Sequence, residues 1–127
     1  MDKIALPNPL PPEGVKIPLR AAFSGLKGMP LVALSHNSIA PLLRLSADSI
    51  EFRVIIQRKK SYMDIERVDA AQGFATQNLA IIWKDSAFAF VGNLGDADNL
   101  RTVLQFLQKR GVPLGKTAQR VLQMSTS

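Results

Sequence analysis

Asp96-Ala97-Asp98-Asn99-Leu100-Arg101-Thr102-Val103-Leu104-Gln105-Phe106-Leu107-Gln108-Lys109-Arg110 is the stretch on which the rest of the chain closes. Leu100, Val103, Leu104 and Leu107 recur at the i, i+3, i+4, i+7 spacing of one helical face, and Arg101, Thr102, Gln105, Gln108 and Lys109 fall on the other. Asp96 and Asp98 stand where negative charge meets the positive end of a helix dipole, and Lys109 and Arg110 stand at the opposite end. Gly111 supplies a left-handed stop, and Pro113 bars continuation. A helix with one apolar face needs an apolar surface to cover, and the residues before it supply one as strands.

Immediately upstream, Leu79, Ile81 and Trp83 alternate with Ala80, Ile82 and Lys84. Both sets are mostly apolar, so this strand is expected to be covered on both faces. Asp85-Ser86 turns the chain, Phe88 and Phe90 line the last strand, and Gly92 to Gly95 leads into the helix. The clearest hairpin joins Leu43–Ser46 to Ile50–Ile56 across Ala47-Asp48-Ser49, with Ile50, Phe52, Val54 and Ile56 on one face and Glu51 and Arg53 on the other. Gln57-Arg58-Lys59-Lys60-Ser61 reads as a basic connection at a hairpin tip. Tyr62 to Val68 reads as a strand with Met63 and Ile65 inward, and Gln72-Gly73 as the start of a loop.

Nearer the start, Val15, Ile17, Leu19, Ala21 and Phe23 alternate with Lys16, Pro18, Arg20 and Ala22, a half-buried strand that Pro18 confines to an edge. Ser24 to Gly28 reads as a turn, Leu31 to Ser35 as a short strand, and His36-Asn37-Ser38 with Pro41 as a loop. Residues 1–14 hold Pro7, Pro9, Pro11 and Pro12 without periodicity, an extended arm on the domain or on a neighbouring subunit. Residues 115–124 place Ala118, Val121 and Leu122 at helical spacing, either a short second helix or a frayed end. The fold expected is mainly β: a bent antiparallel sheet or partly open barrel of about seven strands, capped by one C-terminal α-helix. The arm covers 1–14, the domain 15–111 and a C-terminal extension 112–127.

Composition narrows the partners. The net charge of +6, from 16 basic and 10 acidic side chains, favours acidic partners, nucleic acid or an anionic membrane face. The absence of cysteine removes disulfide and thiol chemistry and fits a reducing cytoplasm. The prolines near the start interrupt any signal-peptide core, and no apolar run approaches a membrane span. Nucleic-acid binding wants exposed aromatics among cations, whereas Phe23, Phe52, Trp83, Phe88 and Phe90 are expected in the core.

Leu43 to Ile56, Asp64-Ile65-Glu66-Arg67-Val68, Leu79 to Val91 and the helix through Gly111 together resemble the pleckstrin-homology (PH) superfold, closest to small bacterial PH-like domains, over residues 15–111. Two features depart from that pattern. The single tryptophan, Trp83, falls in a strand, and Phe106 is the aromatic of the helix. Phosphoinositide-binding members carry cations around the first hairpin with a basic pair on its second strand. Arg20 and Lys27 flank that hairpin here, but Leu31 to Ser35 holds no cation, so inositide selectivity is not expected.

Chemical motifs are weak. Gly115-Lys116-Thr117 has three residues, not four, back to Gly111, and follows a helix rather than a strand, so it is not read as a P-loop. Ser24-x-x-Lys27 lacks the remaining elements of the acylating serine enzymes. Asp96-x-Asp98 lacks the glycine and terminal glutamate of a calcium loop. His36, the lone histidine, has no metal-ligand spacing and no positioned acid, and no carboxylate pair is evident, so neither metal, cofactor nor catalytic residue is expected. The expected function is a non-catalytic PH-like interaction or assembly module, bacterial and cytoplasmic, with a protein partner or self-association. The alternative is peripheral binding to anionic lipid through Arg58, Lys59 and Lys60, with Arg20 and Lys27 as further anion-binding candidates. A small enzyme using His36 ranks third.

Overall fold

Pro18 splits the first alternating run. A proline has no N–H to give a ladder. In the computed structural model of the chain, Val15–Lys16 (β1) belongs to one sheet and Ala21–Leu26 (β2) to another. The Ile17 N–H donates to Leu43 O at 2.8 Å on one side of the break, and the Arg20 N–H donates to Asn93 O at 2.8 Å on the other. The expected single strand over Val15–Phe23 is thus two strands that carry the chain from sheet to sheet. The structure describes residues 3–27, 29–37, 39–73 and 76–124, with 29–37, 72 and 73 described by backbone alone.

The strands that follow are β3 (Met29–Asn37), β4 (Leu42–Leu45), β5 (Ser49–Arg53), β6 (Gln57–Ser61), β7 (Ile65–Gly73), β8 (Thr76–Trp83) and β9 (Phe88–Asn93). Two helices close the chain, α1 (Ala97–Lys109) and α2 (Lys116–Met124). The sheets are four-stranded, β1-β4-β5-β6, and five-stranded, β3-β2-β9-β8-β7, each built of antiparallel pairs. The mainly β class stands. The expected single bent sheet or barrel under one helix is replaced by two sheets, no closed barrel among the described residues, and two C-terminal helices.

The best-patterned elements form as their sequences dictate. β4 and β5 pair Leu43 with Phe52 and Leu45 with Ile50, putting all four side chains on the core face. β8 is buried on both faces: Leu79, Ile81 and Trp83 join the main core, and Ala80 and Ile82 pack with Ala89 and Val91 on the other side. Leu100, Val103, Leu104 and Leu107 of α1 are fully buried, each contributing about 1.5–3 kcal/mol. Asp96 caps α1, its carboxylate accepting from the Asn99 N–H at 3.0 Å. At the far end Gly111 sits at φ +83°, with Gly111 N donating to Gln108 O and Val112 N to Leu107 O, a Schellman stop.

Elsewhere the alternation misleads. β2 runs through Leu26, so the turn expected from Ser24 begins later, at Lys27. His36 and Asn37 end β3 rather than forming a loop, while Gly28, Ser38 and the side chain of His36 lie outside the described residues. Tyr62–Asp64 is a 3-10 turn, capped reciprocally by Ser61 and Asp64, and not the start of a strand. Met63 is consequently 81% exposed instead of inward. Gln72 and Gly73 continue β7 rather than opening a loop.

The termini wrap the core. The arm lies on the domain: Lys3 Nζ bridges Asp96 at 2.6 Å and Asp98 at 3.0 Å, the Ile4 N–H donates to Asn99 Oδ1 at 2.9 Å, and Leu10 is buried. Residues 113–115 run beside β7, with Val68 N donating to Pro113 O at 2.9 Å and Gly115 N to Val68 O at 2.8 Å. The second-helix reading of residues 115–124 holds, with Ala118 and Val121 buried.

Candidate functional site

The hairpin β5–β6 explains where the candidate site lies. Ile50 and Phe52 face the core, and their partners across the ladder are Lys60 and Arg58. Directly opposed residues share a face. Arg58 and Lys60 therefore stand on the inner side of β6, where a buried strand would carry apolar residues, and Lys59 stands on the outer side opposite Glu51. Arg58-Lys59-Lys60 is thus an edge strand and not a connection. The turn itself is Val54-Ile55-Ile56, with Ile55 65% and Ile56 63% exposed, which corrects the inward placement of Ile56.

With cations on its inner face, β6 does not seal against the five-stranded sheet. A groove of about 490 Å³ opens along the seam. Its floor is aromatic: Phe52 stacks on Trp83 at 4.8 Å between centroids and meets Phe90 edge-on at 5.4 Å. Ile55 and Ile56 form one wall and Phe88 the other. Phe88, expected in the core, is 53% exposed, because it begins β9 opposite Leu26 at the open end of its sheet.

Charge at the rim is partly committed. Lys60 Nζ pairs with Asp85 at 2.6 Å and lies 5.1 Å from the Trp83 ring centroid. The hydrogen bond from Lys60, with Lys27 adding field, holds the Asp85 carboxyl below its usual range. Lys27 itself pairs with Glu66 at 3.0 Å, and its N–H donates to Ala87 O at 2.8 Å. Arg58 is exposed and makes no ion pair among the described residues. Of the five cations singled out from sequence, Arg58 and Lys60 line the groove, and Lys27 lies beside the loop that carries Asp85. Lys59 faces away. Arg20 sits at the opposite end of β2 from Lys27, about 20 Å along an extended strand. The five do not form one anion site.

Ile55, Ile56 and Phe88 are the site residues that alternation did not single out. A signal existed at the turn: Val54-Ile55-Ile56 puts three apolar residues in succession, and a period-two strand cannot bury all three.

The other motifs find structural uses. At the N-terminus of α2, where a P-loop would hold phosphate, Asp69 Oδ1 already accepts from the Ala118 N–H at 3.0 Å, and a Cβ at Gly115 would overlap that carboxylate. Asp96 and Asp98 serve the cap and Lys3. Among the described residues no three His, Cys, Asp or Glu side chains converge as metal ligands, and no helix is long and apolar enough to cross a membrane. Among the described residues the groove offers an apolar floor, an unpaired strand edge and one uncommitted cation, which are the elements of a binding surface. No protein-family model matches the chain, and no curated protein matches it.

Proposed function

We propose that the chain is a non-catalytic PH-like module, acting in a bacterial cytoplasm, that holds a protein partner in the seam between its two sheets. One observation carries this reading: the aromatic floor of Phe52, Trp83 and Phe90 is walled by exposed Ile55, Ile56 and Phe88. Large apolar side chains gathered at one rim mark interaction surfaces, whereas singly scattered ones do not. The groove volume falls within the range of specific binding sites, and among the described residues β6 beside it has a strand neighbour on one side only. Antiparallel strands with an amphipathic helix packed on their core are the features shared with PH-like domains.

A photo-crosslinking residue placed at Phe88 in cells tests the reading. Discrete protein adducts are expected there and not from the same residue at Lys109, which is exposed on α1. Equal adducts from both positions, or lipid adducts alone, would refute it. A second reading, peripheral attachment to anionic membrane, draws on the two adjacent isoleucines at the hairpin turn with Arg58 and Lys59 behind them. Each such cation near an anionic bilayer is worth about 1 kcal/mol. That reading requires flotation with phosphatidylglycerol vesicles that is lost on Ile55→Ser with Ile56→Ser.

A further inference from the structure

We infer that the partner is an extended, acid-bearing segment that adds as a strand to the free edge of β6, with an apolar side chain in the groove and a carboxylate on Arg58. This rests on the seam being the binding surface, and it names the chemistry of what enters.

Three observations converge. First, among the described residues β6 is the terminal strand of its sheet, ladder-bonded to β5 alone. An antiparallel strand turns alternate N–H and C=O groups outward, so this edge presents donors and acceptors to an incoming backbone. Its five residues span about 17 Å and suit a segment of five or six residues. Second, alternate side chains of an added strand face the groove. The spacing that sets Arg58 two residues from Lys60, and Ile56 two from Arg58, calls for an acid and a large apolar residue two positions apart on the segment, both on its groove-facing side. Third, the charges exclude the obvious rival. Lys60 is held by Asp85 and Trp83, whereas Arg58 has no ionic partner among the described residues. A second copy pairing edge to edge would set Arg58-Lys59-Lys60 against the same three cations, and like charges across a ladder repel. An acidic segment meets the edge with opposite charge, and the net charge of +6 steers it inward.

The test uses the full chain and a phage-displayed library of random decapeptides, with Trp83, the single tryptophan, as the fluorescent reporter of occupancy. Selected peptides are expected to carry Asp or Glu two residues from a large apolar residue, so that both face the groove, and to perturb Trp83. Arg58→Glu should weaken them about tenfold, exchanging an attractive pair for a repulsive one, without changing the melting temperature. N-methylation of alternate peptide nitrogens should abolish binding, which a side-chain contact alone would not require. Peptides that bind without acids, ignore Arg58→Glu but are lost on Phe88→Asp would overturn the acidic partner and leave the seam standing. Self-association lost on Phe88→Asp, with no peptide selected, would overturn it in favour of a second copy. No peptide selected, with the chain floating on phosphatidylglycerol vesicles, would overturn both this inference and the protein-partner reading.

Discussion

Leu104→Ala measures how firmly α1 holds the groove floor. Leu104 is fully buried in the same cluster as Phe52, Trp83 and Phe90, so the helix and the aromatic floor share one core. The substitution removes three carbons. At about 0.8 kcal/mol each, the transfer loss alone is roughly 2.4 kcal/mol. The cavity left in a packed interior raises the total toward about 5 kcal/mol. Against a typical stability of roughly 5–15 kcal/mol, the variant should fold but with a visibly lower urea midpoint and an unchanged slope. Leu104→Asp should not fold, because a buried carboxylate without a partner costs several kcal/mol more. Gln105→Asp, one residue on and exposed, should match the parent. Trp83 fluorescence should follow the same transition as helical circular dichroism, since one core serves both. An unfolding free energy for Leu104→Ala within about 0.5 kcal/mol of the Gln105 variant would refute the docking of α1. A Trp83 transition separate from the helical one would refute the shared core.

Tyr62, the single tyrosine, donates to Ser46 O at 2.7 Å, and burial raises its pKa from 10.0 to about 12 against the opposing pull of Arg110. Phenolate absorbance should therefore titrate near pH 12 in the folded chain and near 10 in denaturant; the stabilisation is whole below pH 10 and lost as pH rises toward 12, and a native titration near 10 would contradict this burial. Asp69→Ala should cost about 1 kcal/mol by uncapping α2, while Lys116→Ala should alter neither stability nor nucleotide binding; saturable ATP binding lost in the Lys116 variant would reinstate the P-loop. Arg58→Glu should leave the thermal midpoint unchanged, whereas adding Lys60→Glu should lower it by breaking the contact with Asp85 and Trp83; equal midpoints would show that Lys60 is not engaged there.

Legibility followed the physics of each element. α1 could be read because a period of 3.6, an aspartate cap and a glycine stop agree, and all four apolar residues are where the spacing puts them. The β4–β5 hairpin and the doubly covered β8 were equally plain, since alternation and continuous apolar runs answer directly to one-sided and two-sided burial. The division into two sheets was not legible. Alternation across Pro18 states which side chains share a face but not which ladder the backbone joins, and the break shows only in the partners of Ile17 and Arg20. Arg58-Lys59-Lys60 looked like a connection because cations on the inner face of a strand are rare. Phe88 looked like core because β9 is apolar throughout, and only its place at the open end of the sheet exposes it.

The same charges that obscured β6 account for the groove. Seen along the ladder, Ile50 and Phe52 bury their side chains, and the next strand offers Lys60 and Arg58 at the matching positions. Apolar residues there would pack against Phe88 and close the seam, as β4 and β5 close theirs. Cations cannot be buried unpaired, so the seam stays open and Trp83 keeps one ring face under Lys60 rather than under a methyl group. Inward charge on an edge strand also deters indiscriminate strand addition. The two effects combine into selectivity: an apolar segment approaching β6 strands its backbone beside Arg58 with nothing to neutralise it, and an acidic one satisfies backbone and charge together. If the seam takes an acidic segment as proposed, the charge that discourages pairing with a second copy is also what selects that segment.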